Sequence, residues 1–143
     1  AIGERRWEYP QVALVGNFSH SRAHNNISTE FHTRTGPLTT VPMSGKKSSL
    51  VWVVGPTEVD DLLSQENETL SRELERRMQS LLGAISLEKP LQQFPLKGMV
   101  AKQFGTKRCF LVGEAAHQFP PIGAQGFNLG VRDVQALLKD VTR

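Results

Sequence analysis

The feature that most constrains this chain is a short apolar run, Arg108-Cys109-Phe110-Leu111-Val112, stopped at once by Gly113 and followed by Glu114-Ala115-Ala116-His117. Beyond it come Pro120-Pro121, then Gly123 and Gly126 three apart, and from about Gly126 a sequence with helical spacing that runs past Leu137. An apolar run without alternation reads as a strand buried on both faces. Strand, glycine-rich loop and helix N-terminus in that order present backbone N–H groups to a ligand at the carboxyl end of the strand. A functional site belongs here.

Upstream, the pattern changes to that of a sheet with one wet side. Val12 to Phe18 is rich enough in β-branched and apolar residues for a strand, and Ser19 to Asn26 reads as a polar loop. From Ile27 to Arg34, Ile27, Thr29, Phe31 and Thr33 share one face while Ser28, Glu30, His32 and Arg34 share the other. That alternation is an antiparallel habit. Gly36-Pro37 breaks it, Leu38 to Met43 resumes it, and Ser44-Gly45-Lys46-Lys47 turns the chain into Leu50-Val51-Trp52-Val53-Val54. A meander of three or four strands is expected.

Gly55-Pro56-Thr57 ends the sheet, and Thr57 with Asp60 resembles a capping box. A short helix with Val59, Leu62 and Leu63 is expected next. A second helix carries Leu70, Leu74, Met78, Leu81, Leu82 and Ile85 as an amphipathic stripe that Gly83 stops. Pro90 and Pro95 bracket an irregular link, and Lys97 to Phe104 reads as one more strand.

Composition excludes several classes. With 143 residues, 38% apolar and 22% charged, the chain has material for a core. The 17 basic and 14 acidic residues are scattered, so no nucleic-acid partner is expected. The single Cys109 reads as a buried, inert thiol and points to a reducing, cytoplasmic compartment. His20 and His24, four apart, and His32 raise a metal site, but the Ser and Asn around them favour a loop; no metal is expected. Ser19-His20 with Asp60 or Asp61 lacks the Gly-x-Ser-x-Gly elbow of a hydrolase. The first methionine is Met43, which suggests a processed or excised piece.

Taken whole, the glycine-rich stretch resembles the second flavin-binding motif of the flavoprotein aromatic hydroxylases. This group includes 4-hydroxybenzoate hydroxylase and the ubiquinone-biosynthesis ring hydroxylases. Gly113, Ala115, Ala116, His117, Pro121, Gly123, Gly126, Asn128 and Asp133 match its pattern, and Glu114 stands where the family usually has aspartate. Tyr9-Pro10-Gln11, Gly36-Pro37, Leu50-Val51-Trp52 and Phe94-Pro95-Leu96 look more like the polyprenylphenol hydroxylases of quinone biosynthesis.

The resemblance implies an α+β fold: an antiparallel, substrate-covering sheet with helices, followed by the last strand-loop-helix of an FAD-binding α/β domain. Residues 1–104 would be the substrate-side sheet domain and 105–143 the C-terminal portion of the FAD-binding domain. It implies FAD as cofactor, held by Gly113, Glu114, Pro121, Gly123, Gly126, Phe127 and Asn128, with Glu114 accepting hydrogen bonds from ribityl hydroxyls. It implies NAD(P)H as co-substrate and oxygen transfer to a small-molecule phenolic ring, in a fragment lacking the N-terminal Gly-x-Gly-x-x-Gly unit and inactive alone. No catalytic residue is assigned. Taken singly, Phe31 and Trp52 each read first as core; together with nearby aliphatics they would give apolar cover to the ring, and a lipid substrate would bring the protein to the periphery of the inner membrane. The alternative is a non-catalytic β-rich binding or interaction module that keeps the motif as scaffold.

Overall fold

In the computed structural model, which describes residues 2–121, 123 and 125–141, the longest strand is β1 (Glu4–His20). It is nearly all exposed at its start and packed into the core toward its end. The chain divides into two compact units. One is Pro10–Pro95; the other joins the residues up to Tyr9 to those from Leu96 onward.

The Pro10–Pro95 unit holds the inner half of β1 with β2 (Thr29–His32), β3 (Pro37–Pro42) and β4 (Lys47–Val54) in the order β2-β3-β4-β1. Every one of these pairings is antiparallel, as the alternation requires. The β1–β4 register sets Leu14 opposite Trp52 and Gly16 opposite Leu50, and Leu38 faces Trp52 from the other side. Period two then puts Ser48, Leu50, Trp52 and Val54 together on the inner face, all essentially inaccessible to water. Ser19 and His20 belong to β1, not to the expected loop, because β5 (Ile85–Leu87) pairs with Phe18 to His20 and extends the strand.

Helix α1 (Pro56–Leu63) starts at Pro56, whose fixed φ and missing N–H suit a first helical position. The cap is Gly55 with no side-chain bond, so the Thr57–Asp60 capping box is not formed. Helix α2 (Asn67–Arg77) buries Leu70 and Leu74, and these join Val59, Leu62, Met78, Leu82, Leu87 and Leu91 over the inner sheet face. Of the expected stripe, Leu70, Leu74, Met78 and Leu82 are buried while Leu81 is 48% exposed, and the helix ends at Arg77, before Gly83. Gln79 and Ser80 take φ of 52° and 51°, and the chain folds back so that the Arg22 N–H reaches the Leu82 carbonyl at 2.9 Å. Ile85 lies in β5. Met78 and Leu82 extend the buried set past the helix because the turn returns them to the same core.

In the second unit the outer part of β1 neighbours β6 (Gln92–Ala101), on which β9 (His117–Gln118) pairs antiparallel through Met99 and Val100. β6 starts earlier than expected and contains Pro95. Between β6 and β9, β7 (Gly105–Thr106) and β8 (Cys109–Phe110) form a two-stranded hairpin, and Gly113–Ala115 makes one turn of 3-10 helix. Helix α3 (Gln125–Val141) closes the described chain and begins where the glycine spacing predicts.

The expected buried strand over Arg108–Val112 is overturned. Only Cys109 and Phe110 pair, with Phe110 55% exposed, Val112 36% exposed and the Cys109 thiol on the surface. An unbroken apolar run is buried on both faces only where sheet or helix covers both, and among the described residues β8 pairs with β7 alone.

Candidate functional site: the glycine turn and the start of helix α3

Gly113 takes φ +58°, a left-handed conformation that costs a glycine little and other residues about 1–2 kcal/mol. The turn closes when the Ala116 N–H donates to the Gly113 carbonyl at 2.9 Å, and Ala116 is wholly buried. The Ala116 carbonyl in turn accepts from the Ala101 N–H at 2.7 Å, which pins the turn's far end to β6. Its near end is held by Asp133 on the third turn of α3. The Asp133 carboxylate accepts from the Gly113 N–H at 2.9 Å and, through the same oxygen, from His117 Nε2–H at 2.7 Å.

A second contact brings loop and helix together. A Cβ placed on Gly130 would stand 3.4 Å from the Gly113 Cα, so the two backbones approach closely. Gly130 and Asp133 are three apart and share a helix face. The Gly113 N–H, aided by the His117 contacts and opposed by burial, holds the Asp133 carboxyl below the usual aspartate value. The His117 side chain is buried, with the Phe104 and Phe119 rings 6.0 and 5.3 Å from its own.

Of the expected cofactor residues, Gly113 and Glu114 sit in this turn, with Glu114 exposed on it. Gly126, Phe127 and Asn128 are in the first turn of α3, which carries no acidic side chain; a Cβ on Gly126 would meet nothing within 4 Å, and Phe127 is 79% exposed. Pro121 and Gly123 are exposed in the loop between, Gly123 at φ +57°; Ile122 and Ala124 lie outside the described residues. Close backbone approach, a carboxylate to accept from hydroxyls and a helix N-terminus to favour negative charge fit a polar, anionic cofactor such as FAD.

The motif reading quoted Asp133 and His117 without giving them work at the site. The available signal was an acid one helical turn beyond Gly130, where the family pattern carries aspartate.

Phe31 and Trp52 do not line a ligand surface: Trp52 is wholly buried and Phe31 packs on the same core. His20 is also structural, donating from Nδ1 to the Arg22 carbonyl at 2.7 Å and meeting Ser48 Oγ at 3.1 Å from Nε2. Ser19 Oγ points to the Ser86 carbonyl at 3.4 Å. Among the described residues no cluster could hold a metal ion, and no helix is long and apolar enough to cross a membrane.

Antiparallel sheet, glycine turn and latched helix together match the fold of PqsL, a probable FAD-dependent monooxygenase from Pseudomonas aeruginosa. The TM-score is 0.70 at 23% identity, over 93% of this chain and 38% of that one. The family model described as FAD binding domain matches residues 4–142, and the chain belongs to that family. Its relatives include the ubiquinone hydroxylase UbiL of Rhodospirillum rubrum, 38% identical over 95% of this chain and 32% of the relative. The 3-demethoxyubiquinol 3-hydroxylase of Escherichia coli is 32% identical over 96% of this chain and 35% of the relative. The chain spans about a third of the length of the curated relatives it matches. FAD is the cofactor of the family.

Proposed function

We propose that this chain is part of an FAD-dependent monooxygenase that hydroxylates a phenolic ring, with a polyprenylphenol of ubiquinone biosynthesis as the substrate class. The observation that carries the reading is the Gly113–Gly130 approach, which sets the Glu114 turn beside α3. In this reading Glu114 accepts from the ribityl hydroxyls, Pro121 and Gly123 shape the loop beside the ring, and the N–H groups of Gly126, Phe127 and Asn128 face the pyrimidine edge. A helix N-terminus favours negative charge on a reduced flavin by about 0.3–1 kcal/mol, rising to ~2 when partly buried. The bound flavin supplies the redox chemistry; the protein positions it and excludes water.

The curated relatives named as ubiquinone hydroxylases support the substrate class, an electron-rich ring that accepts electrophilic oxygen. NAD(P)H is the reductant in this reading, and the protein works in the cytoplasm, peripheral to the inner membrane where a lipid substrate resides. Residues 1–104 serve as the substrate-side domain and 105–143 as part of the FAD domain, which the N-terminal half of the same protein completes. That half would also cover β8 and the apolar face of α3, where Phe127, Val131, Val134, Leu138 and Val141 are exposed. The test supplies the full-length protein with FAD, NAD(P)H and oxygen and follows product mass with a polyprenylphenol and with 4-hydroxybenzoate. A product one oxygen heavier from the prenylated ring supports the reading; flavin reduction without hydroxylated product from either overturns it.

A further inference from the structure

We infer that Asp133 is a positioning residue for the flavin site, its carboxylate holding the Gly113 turn and His117 together so that Glu114 and the start of α3 face one ligand. The inference rests on the flavin reading above and adds to it a residue that does not touch the cofactor. The turn that carries Glu114 has two anchors. At its far end it is tied through backbone bonds, Ala101 N–H to the Ala116 carbonyl and the His117 pairing with Val100. At its near end, beside Gly113, the side-chain anchor is Asp133 Oδ2, which takes both the Gly113 N–H and His117 Nε2–H.

The geometry decides what that anchor controls. Gly113 at φ +58° sets the direction of the turn, and Glu114 follows it directly. Asp133 belongs to α3, whose first turn carries Gly126, Phe127 and Asn128. One oxygen therefore couples the two groups that a flavin would bridge, and both bonds to it are charge-assisted, roughly twice the strength of neutral ones. The imidazole is buried, and the Asp133 side chain is 19% exposed. A carboxylate placed only for stability would not need to reach the one glycine whose dihedral aims the acid.

The experiment uses full-length protein, freed of flavin and titrated with FAD by fluorescence, with amide hydrogen exchange of the segment 111–118 followed separately without FAD. Asp133→Asn keeps the shape and removes the charge. It is expected to speed exchange in that segment and to raise the FAD dissociation constant about tenfold or more, the size of one lost charge-assisted bond. His117→Phe, which leaves the Gly113 bond in place, should move both readouts the same way by less, and serves if Asp133→Asn does not fold. His117→Gln, which restores an N–H donor, should bind FAD more tightly than His117→Phe.

Faster exchange with unchanged FAD affinity would make the latch purely structural and overturn the inference while leaving the flavin reading intact. Weaker affinity without faster exchange would also overturn it, since Asp133 would then act other than through the turn. So would a failure of His117→Gln to improve on His117→Phe. Absence of FAD binding by the unsubstituted protein would instead remove the flavin reading itself, and the inference with it.

Discussion

The Arg77 guanidinium lies 4.9 Å from the ring centroid of the fully buried Trp52, capping the core where α2 crosses the sheet. The same guanidinium reaches Glu73 at 2.6 Å and Glu58 at 3.2 Å. A desolvated cation over an aromatic face contributes about 0.5–2 kcal/mol, and the half-shielded ion pairs add up to ~1 kcal/mol. Arg77→Ala should therefore lower stability by about 1–2 kcal/mol in denaturant unfolding of the full-length protein. Arg77→Lys should recover less than half of that, since an ammonium lacks the flat stacking surface.

Glu73 accepts from Arg76 and Arg77, and the Arg76 bond foremost holds its carboxyl down to about 2. A carboxyl depressed in the folded state contributes stability above its unfolded value near 4.5. That contribution is lost as pH falls through about 2. Glu73→Gln should cost up to ~1 kcal/mol at pH 7, given partial solvent screening, and the gap to the unsubstituted protein should narrow below pH 4.5 and close near 2. Unfolding series at several pH values read this directly.

Gly36 has φ +150°, and a Cβ there would stand 2.4 Å from Val53 Cγ1 and 2.6 Å from Val53 Cβ. Val53 is buried and its Cβ cannot swing away. Gly36→Ala should destabilise by about 1–3 kcal/mol through overpacking alone. Gly45, with open space around it, should accept alanine at the smaller cost of its positive φ. Gly36→Ala should therefore lower the melting temperature more than Gly45→Ala, since it carries a clash in addition to a positive φ.

Glu114 is exposed on the turn that Gly113 directs. If it holds the ribityl chain, Glu114→Ala should weaken FAD binding by about 1.5–3 kcal/mol, the range for hydrogen bonds to a charged group. That is roughly ten- to a hundredfold in dissociation constant, with the melting temperature of the flavin-free protein little changed. Unchanged affinity in a flavin titration removes Glu114 from the site.

The thiol of Cys109 is accessible in this chain, and among the described residues β8 pairs with β7 alone. A maleimide should label the isolated chain readily, and FAD should bind it weakly or not at all. The full-length protein should bind FAD and protect Cys109, because the chain proposed to complete the FAD domain would cover β8. Equal labelling of both would show that nothing covers this strand.

What the sequence by itself determined here is what local chemistry sets. Alternation through Ile27–Arg34 and the β-rich run Leu50–Val54 placed antiparallel strands, Gly55-Pro56 marked the first helix, and the Gly123 and Gly126 spacing located the start of α3. Each signal acts within a few residues, through side-chain period or backbone freedom. Tertiary structure decided the rest. Whether an apolar run such as Phe110 to Val112 is buried depends on what lies against it, and the path from Met78 to Ile85 depends on a sheet edge near His20. The junction of Asp133 with Gly113 and His117 joins residues 20 and 16 positions apart. No local pattern encodes such a bond, because it forms only after the helix has folded back onto the turn.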